Sequence, residues 1–188
     1  MILAGWYFVP WTLQYFVGGG LALLISMYLL SKNPKSWAYR YFFLFGFSVG
    51  VWEFLAFFHR NAPTADLSLK FFLFDMFFVL LSFSFLLIML LTFQKKKITY
   101  SLISIPAIAM GIFLILVEPF EVFLTDFGWS YKFIFTGAVP VSYLVTWVGY
   151  AAFIIIAGGW LIKRTKVLML RKKVMVVLTW LGICTDLL

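Results

Sequence analysis

Runs of about twenty apolar residues recur along the chain, and the short connections between them carry the lysines and arginines. A helix crossing the hydrocarbon layer needs about 20 mostly apolar residues. Six segments fit or approach that length: Trp11–Leu30, Trp37–Phe58, Lys70–Phe93, Ile98–Val117, Pro140–Ile162 and Val174–Leu188. The last is only about 15 residues long, so it is expected either to be cut short or to continue beyond this chain. In lipid every backbone N–H and C=O must be satisfied within the protein, which turns such runs into helices. The expected fold is all-α: one polytopic transmembrane domain over residues 1–188 with six spans. Composition closes the alternatives. The chain is 64% hydrophobic and 12% charged and holds 24 Phe, whereas a soluble domain has roughly 45–50% apolar and about 25% charged residues. A cytosolic enzyme, a secreted disulfide scaffold and a disordered tail are excluded.

The charges indicate an orientation. Twelve of the fifteen basic residues fall on alternate connections: Lys32, Lys35 and Arg40; Lys95, Lys96 and Lys97; Lys163, Arg164, Lys166, Arg171, Lys172 and Lys173. The other side holds Arg60, Lys70 and Lys132. Basic residues collect on the cytoplasmic side, so the N-terminus is expected outside, in a multi-pass protein of the cell membrane. The formal charge of +8 is then an anchor for anionic headgroups, and nucleic acid is not an expected partner. Met1–Pro10 has neither a basic start nor a small-residue cleavage site, and reads as an external interfacial segment with Trp6, Tyr7 and Trp11 at headgroup level.

Little chemistry is available for catalysis. Cys184 is the lone cysteine and sits in an apolar run, and His59 is the lone histidine, so no disulfide, haem pair or His-rich metal site is expected. No P-loop, dinucleotide fingerprint, H-E-x-x-H or C-x-x-C occurs. The chain is expected not to be an enzyme, and no cofactor is called for. His59, beside Arg60 at the outer edge, reads as a headgroup contact rather than a pH sensor.

Ionisable residues inside spans are costly and call for a reason. Glu53, Asp75 and Asp186 are of this kind, with Gln14, Tyr143, Thr146 and Thr179 as uncharged companions. Measured from the expected helix ends, Glu53 and Asp75 each lie about five residues, roughly 8 Å, below the outer surface. Gly46, Gly50 and Glu53 share a face, and the G-x-x-x-G lets a neighbouring helix approach, so Glu53 faces the bundle. Asp75 and Ser82 share another face. Gln14, Gly18 and Ala22 form a small, polar stripe, and Tyr143, Thr146, Trp147 and Tyr150 recur at helical spacing. These features suggest an outward-facing ligand cavity in which Glu53, Asp75, Tyr143 and Gln14 orient a ligand and Trp52 and Trp147 pack on it. Interhelical polar contacts and carboxylates that reach water or pair with Arg60 or Lys70 are the plainer alternative, as is aromatic packing for the tyrosines and tryptophans. Between the fourth and fifth spans, Thr125-Asp126-Phe127-Gly128 separates two aromatic, β-branched runs. It suits a short β-hairpin, or an irregular interfacial loop.

From about Asn33 to Leu188 the chain resembles the N-terminal seven-transmembrane sensor region of membrane histidine kinases, the 7TM-type input module. "SVGVWEFLAFF" leading into "HRNAPTAD", the outer "LTDFGWSYKF" and the basic exit "KRTKVLMLRKK" carry the resemblance. Within them Trp52 and Glu53, the turn Arg60-Asn61-Ala62-Pro63, and Asp126, Gly128 and Trp129 match the family's pattern. The family's seventh span and kinase region have no counterpart within these 188 residues, so an input module without its output is expected, either a fragment or a stand-alone relative. The resemblance implies a non-catalytic sensor of an external or membrane-borne small molecule, with a helix-packing change passed to the cytoplasmic side and the outer loop as a lid. A structural accessory subunit of a larger membrane complex is the alternative, with other membrane subunits or further copies of the chain as partners. A small transporter is disfavoured by the apolar inner halves and the absence of repeats.

Overall fold

The computed structural model describes residues 2–3, 6–93, 100–134 and 138–164. A two-residue ladder pairs β1 (Ile2–Leu3) with β2 (Trp6–Tyr7), and a 3-10 turn over Pro10–Thr12 follows. Five helices succeed it: α1 (Leu13–Lys32), α2 (Trp37–Asn61), α3 (Ala65–Phe93), α4 (Tyr100–Val117) and α5 (Ala138–Arg164). Between α4 and α5, β3 (Phe120–Thr125) pairs antiparallel with β4 (Gly128–Phe133). The fold is thus mostly helical, and α1, α2, α3 and α5 contain stretches long and apolar enough to cross a membrane; the apolar part of α4, Leu102–Val117, is shorter. The expected sixth span, with Thr179, Cys184 and Asp186, lies outside the described residues, as do Lys95–Lys97 and Lys166–Lys173.

The two largest differences from the expected ends are at the α2–α3 turn, and local chemistry explains both. α2 continues to Asn61, whose side-chain amide donates to the Phe57 carbonyl at 2.7 Å, and Pro63 ends the run. α3 begins five residues before Lys70: the Thr64 hydroxyl accepts the Leu67 N–H at 3.3 Å, the Thr64 carbonyl accepts the Ser68 N–H at 3.0 Å, and Asp66 stands at the positive end of the helix dipole. Lys70 bridges to Asp66 at 2.8 Å, one turn away.

The most apolar of the four long spans lies at the centre. α3 has a mean hydropathy of 2.5 against 1.7–1.8 for the other long spans, and most of its length is buried. It packs on α2, α4 and α5, while α1 packs on α2. Phe72, Leu73, Leu80, Leu86 and Leu90 form the spine of the core. Glycine sets the α1–α2 distance. A methyl group at Gly46 would lie 2.5 Å from Ser26 Cβ, and one at Gly50 would lie 2.6 Å from Leu23 Cγ. Ser26 satisfies its own buried hydroxyl on the Leu23 carbonyl at 2.9 Å. Pro106 sits inside α4, and the Tyr150 hydroxyl donates to the nearby Ile103 carbonyl.

The β3–β4 register runs from Phe120 opposite Phe133 to Thr125 opposite Gly128, so the expected turn residues do form a hairpin turn. The Thr125 hydroxyl donates to the Gly128 carbonyl at 2.6 Å and accepts the Phe127 N–H at 3.2 Å, and Gly128 adopts φ 87°. Lys132 and Glu121 pair across the strands at 2.9 Å. At the base the Ile134 N–H meets the Pro119 carbonyl at 2.9 Å.

The Tyr143 hydroxyl meets Met76 Sδ at 3.0 Å and Trp147 lies against Phe83, so α5 runs parallel to α3. The described basic residues therefore divide between the ends of the bundle. Lys32, Lys35, Arg40, Lys163 and Arg164 lie at one end, and Arg60, Lys70 and Lys132 at the hairpin end.

Candidate functional site: a buried acidic cavity under the hairpin

A helix repeats its face every three to four residues, so Trp52, Glu53, Ala56, His59 and Arg60 of α2 form one stripe. Phe72, Asp75 and Met76 of α3 form another. Where these stripes meet below Tyr15 of α1 and Tyr131 of β4, they enclose a cavity of about 80 Å³. Gly19 lets α1 approach this stripe: a methyl group there would lie 2.9 Å from the Gly50 carbonyl oxygen and 3.1 Å from Glu53 Cβ.

Both helices contribute deeply buried polar groups. Asp75 is 4% exposed and His59 2%. The helix extensions explain why, since Glu53 lies eight residues before the end of α2 and Asp75 ten residues after the start of α3. At about 1.5 Å per residue these depths are roughly 12 and 15 Å rather than 8. His59 is accordingly not a headgroup contact. Its Nδ1 meets the Ser68 hydroxyl at 2.8 Å and the Ser68 carbonyl at 3.2 Å, and its ring packs on Phe72 with centroids 5.1 Å apart. His59 Nε2 and Asp75 Oδ1 are buried with no protein partner. The only other such side-chain atom among the described residues is Trp11 Nε1.

Arg60 and the hairpin close the top. The Arg60 guanidinium donates to the Trp129 carbonyl at 3.1 Å and lies 5.7 Å over the Trp11 ring. The Trp129 indole N–H donates to the Ala62 carbonyl at 2.7 Å. Gly128 rests on the Arg60 backbone, where a side chain would collide with the carbonyl oxygen. Asn61 ties in the N-terminal segment: its amide oxygen accepts the Val9 N–H at 2.8 Å, and its NH₂ donates to Thr12 Oγ1 at 2.9 Å. Tyr131 stacks on Phe72 at 3.8 Å, and burial, with a smaller contribution from the charge of Asp75, raises its phenol above the ordinary value of 10.0.

Of the residues expected to line a site, Trp52, Glu53 and Asp75 share this cavity. Tyr143 stands behind it on Met76, and Trp147 lies deeper in the bundle against Phe83. Gln14 is exposed on α1, and Asp126 is exposed at the hairpin tip. Tyr15, His59, Arg60 and Tyr131 were not expected there. The seven-residue spacing of Ser68 and Asp75, and of Trp52 and His59, carries part of that signal; the docking of Tyr131 has no local signature.

Among the described residues a larger cavity, about 610 Å³, opens between α3, α4 and α5, walled by residues such as Leu87, Pro106, Gly149 and Phe153. Its hydroxyls are satisfied locally, Thr146 on the Ser142 carbonyl at 2.8 Å and Tyr150 on Ile103. It is roomy but offers no group to orient a ligand, so the smaller acidic cavity is the candidate site. Among the described residues no cluster of three His, Cys, Asp or Glu side chains could hold a metal ion. No protein-family model matches the chain, and neither a curated protein nor a solved structure matches it.

Proposed function

We propose that this chain is a sensor-like membrane module: occupancy of the cavity bounded by Glu53, His59 and Asp75 biases two packings of the helices, and the change is read at the opposite end of the bundle. The observation that carries this reading is a pair of carboxyl groups about 12–15 Å from the helix ends at the hairpin, lining one cavity with His59, where Asp75 Oδ1 and His59 Nε2 are buried and no protein group satisfies them. Polar contacts serving only to hold helices together would be satisfied by the neighbouring helix, because an unpaired buried polar group costs about 1–3 kcal/mol. The full topology has six spans with the hairpin end and N-terminus outside, in agreement with the division of the basic residues. The hairpin acts as a lid, joined to the α2–α3 turn through Arg60 and Trp129. The resemblance to the 7TM-type input region of histidine kinases supports the same reading, since its two outer motifs, Arg60-Asn61-Ala62-Pro63 and Asp126-Phe127-Gly128-Trp129, meet in space.

The test is a distance measurement across the distal end in lipid nanodiscs. Spin labels are placed at Ser31→Cys and Lys163→Cys in a Cys184→Ser background, with and without Glu53→Gln or Asp75→Asn. A sensor shows two distance components whose weights change on neutralisation while their positions stay fixed. One unmoved distance in all variants overturns the reading. Native mass spectrometry of gently solubilised membranes then identifies the accessory-subunit alternative as a stable hetero-complex.

A further inference from the structure

We propose that the cavity between α1, α2 and α3 binds a small monovalent cation of the primary-ammonium class, seated between Glu53 and Asp75 and facing His59. The proposal rests on the sensor reading of the same cavity and deepens it by naming the ligand class.

Charge balance is the first support. The titratable or charged groups lining the cavity are Glu53, His59 and Arg60 from α2, Asp75 from α3, Tyr15 from α1 and Tyr131 from β4. Two carboxyl groups face a single guanidinium here, so one bound monocation lets both carboxyls ionise without leaving a net buried charge. An uncompensated buried charge is strongly destabilising, so a single positive charge completes the site.

The orphaned atoms give the second. Asp75 Oδ1 is an acceptor without a donor, and either tautomer of His59 leaves Nε2 without a protein partner. When Nδ1–H donates to the Ser68 carbonyl, Nε2 presents a lone pair. An ammonium group supplies three N–H donors, enough for both carboxylates and the imidazole. A bare alkali ion has no N–H to donate to the imidazole lone pair, and hard cations prefer oxygen ligands to nitrogen.

Size and walls give the third. The volume of about 80 Å³ exceeds the roughly 30 Å³ share of one water and falls well below the ~300 Å³ of drug-sized sites. Tyr15, Trp52, Phe72 and Tyr131 supply aromatic surfaces around it, and such faces attract cations. The Arg60 guanidinium does not take this place, because it is engaged by the Trp129 carbonyl and the Trp11 ring.

The full chain is reconstituted in nanodiscs and titrated with methylammonium chloride at constant ionic strength, with potassium and tetramethylammonium chloride as comparisons. Thermal unfolding and tryptophan fluorescence are the readouts. Methylammonium is expected to give a saturable rise in the unfolding temperature, while potassium and tetramethylammonium give none. Asp75→Asn and Glu53→Gln should each weaken the response at least tenfold, and Asp66→Asn, in the exposed bridge, should leave it unchanged. If Asp75→Asn does not fold, Glu53→Gln carries the comparison. An absent methylammonium response in the wild-type chain overturns the proposal and assigns the cavity to water or a protonated carboxyl. An equal response to potassium, or one retained in the folded cavity variants, overturns it too. None of these outcomes bears on whether neutralising Glu53 shifts the distance between residues 31 and 163, so the sensor reading stands or falls separately.

Discussion

The α1–α2 interface provides a quantitative test, because the two helices approach through glycine and the clearance can be read directly. A Cβ built at Gly46 lies 2.5 Å from Ser26 Cβ, 2.9 Å from its hydroxyl and 3.2 Å from the Ala22 carbonyl. Carbon atoms in ordinary contact sit about 3.5–4.0 Å apart, so Gly46→Ala requires the helices to separate locally by roughly 1–1.5 Å. Ser26 is fully buried and its Cβ belongs to the helix backbone frame, so no flexible side chain can yield instead. Overpacking of this kind costs about 1–3 kcal/mol. Gly50→Ala meets Leu23 Cγ at 2.6 Å and the Gly19 carbonyl at 3.1 Å, and should fall in the same range. Gly20, on the same α1 helix, has nothing within 4 Å of an added Cβ. There the substitution removes only backbone freedom and should stabilise by about 0.4–1 kcal/mol. Unfolding by SDS titration in mixed micelles, followed by tryptophan fluorescence, measures all three. Equal effects at Gly46 and Gly20 would refute the close approach of α1 and α2.

The hairpin lid yields further expectations. Gly128→Ala forces a side chain onto φ 87° and into the Arg60 carbonyl, so it should destabilise docking by about 1–3 kcal/mol, seen as faster hydrogen exchange over residues 120–133. Trp129→Phe leaves the Ala62 carbonyl without its indole donor and should lower stability by about 1–3 kcal/mol in the same unfolding assay. Tyr131 holds its proton above the ordinary value of 10.0 because it is buried. The folded chain then binds more protons than the unfolded one, so this contribution is whole below pH 10 and is lost as pH rises toward the folded value. Tyr131→Phe should flatten the fall in unfolding midpoint as pH rises above 10.0. Glu118 adopts φ 47° at the end of α4; Glu118→Gly should raise stability by about 0.5–1 kcal/mol in denaturant titration.

The long elements were legible because lipid leaves the backbone one economical solution, and hydrophobic runs bounded by lysines declare it. Glu53 on the α2 face that carries Gly46 and Gly50 could be read for the same reason: helical phase ties a residue's direction to its neighbours' size. The ends were less legible. Thr64 and Asp66 form a helix start and Asn61 a helix finish through side-chain hydrogen bonds, while an apolarity count stops at Phe58 and resumes at Lys70. That shift carried Glu53 and Asp75 deeper and drew His59 inside. The hairpin turn was legible locally in Thr125-Asp126-Phe127-Gly128, but its docking on Arg60 and Ala62 joins residues 67 and 69 positions apart, beyond any periodicity. Trp147 was grouped with Tyr143 by spacing alone, and the rise of one turn of α5 along α3 carries it from Met76 to Phe83 instead.

The proposed role requires the hairpin end, with its acidic cavity, to face the exterior. Intact cells carrying Asp126→Cys or Lys35→Cys in the Cys184→Ser background, treated with a membrane-impermeant maleimide, decide this directly. The expected result is labelling at position 126 without permeabilisation and at position 35 only after it. The reverse pattern would turn the cavity toward the cytoplasm and contradict the account.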